Sequence, residues 1–266
     1  MLDRFDRTIN YLRISVTDRC NLRCRYCMPE EGIKLLGHKD ILSFDEIAGF
    51  TEVAVKHGVN KVRVTGGEPL VRRGIVTLVK MIAGIEGIKD LSMTTNGVLL
   101  KDYADDLKAA GLHRINISLD TTDPGRFEYI TRGGNVNDVF EGIAAAKSAG
   151  LLPVKINCVI KASRDEEDAK QITDFCMKNN LEIRYIQQMD LVNGHFSTVD
   201  GGTGGNCSLC NRLRLTANGK LRPCLFNDLE FDIRELGYEE AIMKAVELKP
   251  ECGSKNVTGN FYNIGG

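Results

Sequence analysis

The sequence predicts an α/β protein, a partial barrel of six strand–helix units followed by a small C-terminal module. Six short runs rich in β-branched residues recur between residues 11 and 190, longer stretches with apolar residues at helical spacing separate them, and the alternation stops after Asp190.

The predicted strands are LRISV (12–16), KVRVT (61–65), LSMTT (91–95), RINISLD (114–120), VKINCVI (154–160) and EIRYIQQ (182–188). Their Val, Ile and Thr side chains suit a pleated, half-buried surface. Between them lie the helical patterns SFDEIAGFTEVAVKHG, IVTLVKMIAGIEG, DYADDLKAAG, VNDVFEGIAAAKSAG and DEEDAKQITDFCMKNN, most of them closing on Gly or Asn. Ser43 followed by Glu46 makes a capping box for the first. Strands alternating with helices pair in parallel, and right-handed crossovers curl such a sheet. The fold class is therefore a partial (β/α)6 TIM-type barrel over residues 1–190, with its chemistry at the C-terminal ends of the strands.

Residues 191–206, LVNGHFSTVDGGTGGN, are rich in Gly, Ser, Thr and Asn and read as a linker or flexible loop. Residues 207–266 hold a second cysteine group, a hairpin in RLRLTANGKLRPCLF turning at Asn218-Gly219, a helix near YEEAIMKAVEL and the tail NFYNIGG. This is too little for an independent core, so a small module packed on the barrel is expected.

Charged residues make up 27% and hydrophobic ones 42% of the 266 residues, which excludes general disorder. The formal net charge of -1 gives no reason to expect a nucleic acid or an anionic membrane as partner. No stretch approaches the length of an apolar span, and MLDRFDRTINYLR lacks the apolar core of a signal peptide, so a cytoplasmic location is expected. Nine cysteines, odd in number and clustered, point to metal binding or catalysis more than to a disulfide framework.

Three of those cysteines, Cys20, Cys24 and Cys27, lie in TDRCNLRCRYCMPEEG (17–32). Their spacing would also make a buried stripe on a helix, but TDRCN offers no apolar partner positions and Pro29 follows, so a loop after the first strand fits better. Zinc takes four ligands, and this group supplies three thiolates with no His within ten residues. Three soft ligands on a loop suit an iron–sulfur cube with one iron left open.

The C-x3-C-x2-C spacing of CNLRCRYC resembles the signature of the radical S-adenosylmethionine (SAM) enzymes. The resemblance implies that the amino and carboxylate groups of SAM chelate the open iron and that Tyr26 contacts the adenine. TGGEP (65–69) resembles the superfamily's SAM-binding glycine motif. There Gly66 and Gly67 would let backbone groups approach the ligand, and Glu68 could receive its ammonium.

Cys207 and Cys210 form a C-x2-C pair, and Cys224 follows after thirteen residues. Spacing alone leaves open a zinc ribbon completed by Cys252 and a second iron–sulfur cluster. The segment CSLCNRLRLTANGKLRPCLF, and the first motif as it runs on into MPEEG, resemble the GTP 3′,8-cyclases of molybdenum cofactor biosynthesis. The resemblance implies SAM and two [4Fe-4S] clusters, the second held by Cys207, Cys210 and Cys224 with an iron open to the purine. It implies a radical that attacks the ribose of GTP, so that C3′ joins guanine C8, and a reductant protein such as flavodoxin or ferredoxin. It assigns catalytic roles to Arg212, Arg214 and a Gly265-Gly266 tail reaching into the active site, and it leaves a homodimer open.

Arg13, Lys61, Arg63, Lys155 and Arg184 lie inside predicted strands, where an unpaired charge is costly to bury. Alternation puts Lys61 with Arg63 on one face of a strand and Arg212 with Arg214 on one face of the hairpin. Salt bridges to carboxylates or a shared polyphosphate would each account for them. The resemblance favours the polyphosphate, and it adds Thr94 near the substrate and Ser118 and Met189 near SAM.

Two departures from the family pattern bear on function. Residues 191–206 are shorter than the family's segment, and Cys252, if it reached the second cluster, would close its open iron. The alternative reading is a radical SAM enzyme whose fully ligated second cluster serves electron transfer while the enzyme modifies a peptide or another small molecule. Cys158 and Cys176 read as core residues, and the four histidines show no metal or triad spacing.

Overall fold

The computed structural model describes residues 1–258 and Ile264. In chain order its elements are β1 (Tyr11–Ser15), α1 (Phe44–Lys56), β2 (Lys61–Thr65), α2 (Ile75–Ala83), β3 (Asp90–Thr95), α3 (Ala104–Ala109), β4 (Arg114–Ser118) and α4 (Pro124–Thr131). They continue with α5 (Val136–Ser148), β5 (Lys155–Ile160), α6 (Glu167–Asn179), β6 (Glu182–Gln187), β7 (Arg212–Leu215), β8 (Lys220–Arg222), β9 (Phe231–Asp232), α7 (Ile233–Leu236) and α8 (Tyr238–Glu247). All six predicted barrel strands form, and the Ser43–Glu46 capping box closes reciprocally at the start of α1. Helix α4 escapes the sequence pattern because it spans eight residues and buries only Phe127 and Thr131. It is set instead by its start, with Pro124 in the first turn and the Asp123 side chain accepting from Arg126 N.

The nine strands form one open sheet in the order β6-β5-β4-β3-β2-β1-β7-β8-β9, parallel from β6 through β1 to β7. The C-terminal hairpin therefore continues the barrel sheet. Strand β7 pairs in parallel with β1 and covers an edge that would otherwise be open, and β8 turns back at Gly219, whose φ of 84° suits glycine.

Alternation divides the two faces of the sheet. Leu12, Val62 and Leu91 stand in register on one face, as do Ile117 and Ile156, all fully buried in the main core. Each such side chain contributes about 1.5–3 kcal/mol by leaving water. The other face is polar. Its middle row, read across the register, runs Arg214, Arg13, Arg63, Ser92, Arg114.

Candidate active site

The 17–32 segment leaves β1 as an irregular loop, and no helix forms there. Two neighbours fix its course. On one side Gly67 N donates to Thr17 O at 2.7 Å and Glu68 N to Arg19 O at 2.8 Å. The approach is so close that a Cβ at Gly67 would lie 2.4 Å from Arg19 O, and one at Gly66 2.8 Å from Thr17 O. These glycines, predicted to admit a ligand, first of all admit the cysteine loop itself. On the other side Arg23 N and Arg25 N donate to Thr131 O and Ile130 O at the end of α4, and Arg132 Nη1 donates to Arg23 O and Met28 O.

Cys20, Cys24 and Cys27 are half-buried and line one cavity of about 550 Å³. Burial, then Asp120, then the other two thiols push Cys24 up to about 12. Burial and Cys20 push Cys27 to about 11. These mutual repulsions vanish when thiolates bind a cationic iron centre, so the three residues fit an iron–sulfur cluster. Among the described residues no three His, Cys, Asp or Glu side chains converge on a single point.

Glu68 is 1% exposed and is committed to the protein as well as to the cavity. Its Oε1 accepts from Leu70 N and Thr95 Oγ1, its Oε2 accepts from Asn96 N at 2.7 Å, and burial raises it to about 7 despite those donors. The Tyr26 hydroxyl donates to Asp120 Oδ2 at 2.8 Å, and burial raises Asp120 to about 6. Asp120, just beyond β4, carried no motif and was missed in the sequence. Ser118 and Met189 line the same cavity.

The opposite wall is cationic. Arg13, Lys61, Arg63, Arg184, Arg212 and Arg214 all line it, as does Thr94, whose Oγ1 is buried without a hydrogen-bond partner among the described residues. Arg214, Arg13 and Arg63 are consecutive register partners on β7, β1 and β2, an arrangement in which like charges oppose one another. Burial and then Arg212 push Arg214 down to about 10, while burial and Arg214 lower Arg13. Arg63 Nε donates to Ser92 Oγ at 3.2 Å, and its guanidinium lies over the Tyr11 ring. Arg114, missed in the sequence, joins this wall but is paired with Asp90 through Nε at 3.0 Å and Nη2 at 2.6 Å.

The predicted site residues do not all meet here. Lys155 is absent from the cavity lining, and its ammonium is bound by Glu182 on the neighbouring strand. That is the salt-bridge outcome that the sequence left open. Gly265 and Gly266 lie outside the described residues.

Cys207, Cys210 and Cys224 line the cavity's far end, alongside residues of the glycine-rich 191–206 stretch. Arg212 Nη2 donates to Thr203 Oγ1 of that stretch at 3.1 Å. Lys249, 1% exposed, donates to Arg212 O and Pro223 O beside these thiols, and its charge helps to hold Cys210 below the usual thiol value against burial. Three half-buried thiols attended by a buried ammonium fit a second cluster. Cys158 and Cys176 are buried in the core, as predicted.

Such a barrel, with a three-cysteine loop docked on a glycine motif at its strand ends, defines a radical SAM protein, and the Radical SAM superfamily signature matches residues 14–176. The chain is 43% identical to a GTP 3′,8-cyclase of Thermodesulfovibrio yellowstonii, covering 96% of this chain and 96% of the relative. It is also 43% identical to one of Moorella thermoacetica, covering 94% of each. It belongs to the GTP 3′,8-cyclase family. The first of these alignments runs over 310 positions against 266 residues in this chain, so more than 40 positions have no counterpart here, in keeping with the shortened region after β6. A solved structure described as native anSMEcpe with bound AdoMet matches with a TM-score of 0.62 at 13% identity, covering 91% of this chain and 81% of that one, and shares the fold.

Proposed function

We propose that this protein converts GTP to (8S)-3′,8-cyclo-7,8-dihydroguanosine 5′-triphosphate in molybdenum cofactor biosynthesis. The single observation that carries the reading is the in-register row Arg214–Arg13–Arg63 on the wall of a cavity that two cysteine trios also line. Three guanidinium groups in register set their paired donors side by side, and a triphosphate offers paired oxygens to each.

Cys20, Cys24 and Cys27 would hold one [4Fe-4S] cluster, and Cys207, Cys210 and Cys224 a second. The chemistry that the first supplies when bound is one-electron reduction of SAM, whose sulfonium then breaks to give methionine and a 5′-deoxyadenosyl radical. The chain's own residues do the rest. Tyr26, Gly66, Gly67, Glu68, Ser118 and Met189 receive SAM, with the Glu68 carboxylate the natural acceptor for its ammonium. Arg13, Lys61, Arg63, Arg184, Arg212, Arg214 and Thr94 receive GTP and turn its ribose toward the SAM side. A flavodoxin- or ferredoxin-type reductant supplies the electron.

The test is anaerobic. Reconstituted protein should bind about eight irons, and added GTP should stimulate release of 5′-deoxyadenosine and be consumed. SAM cleavage without GTP binding or loss would overturn the cyclase reading.

A further inference from the structure

Cys252 is the one cysteine that neither the core nor the two trios absorb. It is exposed, and its Sγ lies 3.2 Å from Cys207 Sγ. This closeness is built into the scaffold on both sides. Arg7, 7% exposed and braced by Asp3 at 2.7 Å, donates through Nη1 to Cys207 O and Glu251 O and through Nη2 to Pro250 O. One buried guanidinium thus ties the Cys207 backbone to the two residues preceding Cys252. Beyond Cys252, Ser254 N donates to Phe226 O at 2.8 Å, and Gly253 sits so close that a Cβ there would meet Cys224 Sγ at 3.3 Å.

We propose that Cys207 and Cys252 form a reversible disulfide that withdraws Cys207 from the second cluster's ligand set, a regulatory modification that rests on the two-cluster reading above. With its sulfur 3.2 Å from Cys207 Sγ, Cys252 is placed to bond Cys207 itself. Closing a disulfide, with its S–S bond of about 2.05 Å, requires the two sulfurs to approach by only about 1 Å. The exposed Cys252 thiolate attacks a small-molecule disulfide such as oxidised glutathione, forming a mixed disulfide and releasing one small thiol. The Cys207 thiolate then attacks the Cys252 sulfur, the Cys207–Cys252 bond forms and the second small thiol leaves. Two electrons pass from the protein pair to the small disulfide, whose two halves depart with the two protons. A reducing thiol reverses both steps.

The experiment treats the full chain, free of clusters, with oxidised glutathione, blocks the remaining thiols and maps linked peptides by mass spectrometry. The expected result is a dithiothreitol-reversible Cys207–Cys252 link in most chains, absent from protein already loaded with clusters. In Cys252→Ser, Cys207 should instead carry glutathione, and the reduced variant should still take up about eight irons. Glutathione on Cys252 with no link to Cys207 would overturn the proposal. So would loss of about half the iron in reduced Cys252→Ser, which would make Cys252 a ligand. A reduced wild-type chain that binds only about four irons would defeat the two-cluster reading and leave the mapped disulfide as a separate result.

Discussion

The thiols of the first cysteine loop sit among acids and one another, whereas those of the second group sit among cations. Burial, Asp120 and the neighbouring thiols drive Cys24 up to about 12, and burial aided by Glu68 raises Cys20. At Cys210 burial pushes the same way but loses to Lys249, a backbone donor and the Arg212 and Arg214 guanidinium groups. One cavity therefore has an electronegative end, suited to a sulfonium cation with an ammonium, and an electropositive end, suited to a polyphosphate. The two ends are also anchored differently. Backbone hydrogen bonds to the glycine motif and to α4, with Arg132, pin the first, while two buried cations, Arg7 and Lys249, tie the strands and turns of the second together.

The largest expected effect lies at the electronegative end. Cys24→Ser should lose about four irons and all SAM cleavage while keeping the iron of the other group, as counted by iron analysis and Mössbauer spectra. At the opposite end, Arg63→Ala should weaken GTP binding by about 2–4 kcal/mol in equilibrium titration, because it removes a desolvated guanidinium from the row. Lys155→Ala, already neutralised by Glu182, should cost under about 1 kcal/mol. Equal losses at both positions would erase the distinction drawn between row and ion pair.

Two smaller effects address anchoring and charge. Gly67→Ala forces a Cβ to within 2.4 Å of Arg19 O, where backbone must move, and should lower stability by about 1–3 kcal/mol in denaturant titration of cluster-free protein. Glu68, raised to about 7 from an ordinary 4.5, favours the fold most below pH 4.5, and that contribution is lost as pH rises through 7. Between pH 5 and pH 7 the loss amounts to about 2 kcal/mol, and Glu68→Gln should flatten that slope. A variant that retains the full slope would assign it to another group.

The barrel was legible because β-branched runs and helical periodicity carry fold class locally, and every predicted strand from KVRVT to EIRYIQQ forms. The parallel pairing of β7 with β1 was not legible, since pairing across 200 residues leaves no local mark. Both cysteine trios and most of the cations were legible as residue types in spaced motifs. Asp120 and Arg114 were missed because a lone charge at a strand end looks like any surface charge until the register aligns it. Arg7 and Lys249 were missed because the partners that set them beside the second group are carbonyl oxygens, which no sequence pattern displays.

We propose that one cavity holds SAM and GTP at its opposite poles, with the ribose turned toward the SAM end. The most direct test is reconstituted protein given unlabelled SAM and GTP deuterated at C3′, with both products weighed. Deuterium in 5′-deoxyadenosine, together with a cyclised product bearing the intact triphosphate, is the predicted result. Unlabelled 5′-deoxyadenosine with GTP recovered unchanged would contradict it.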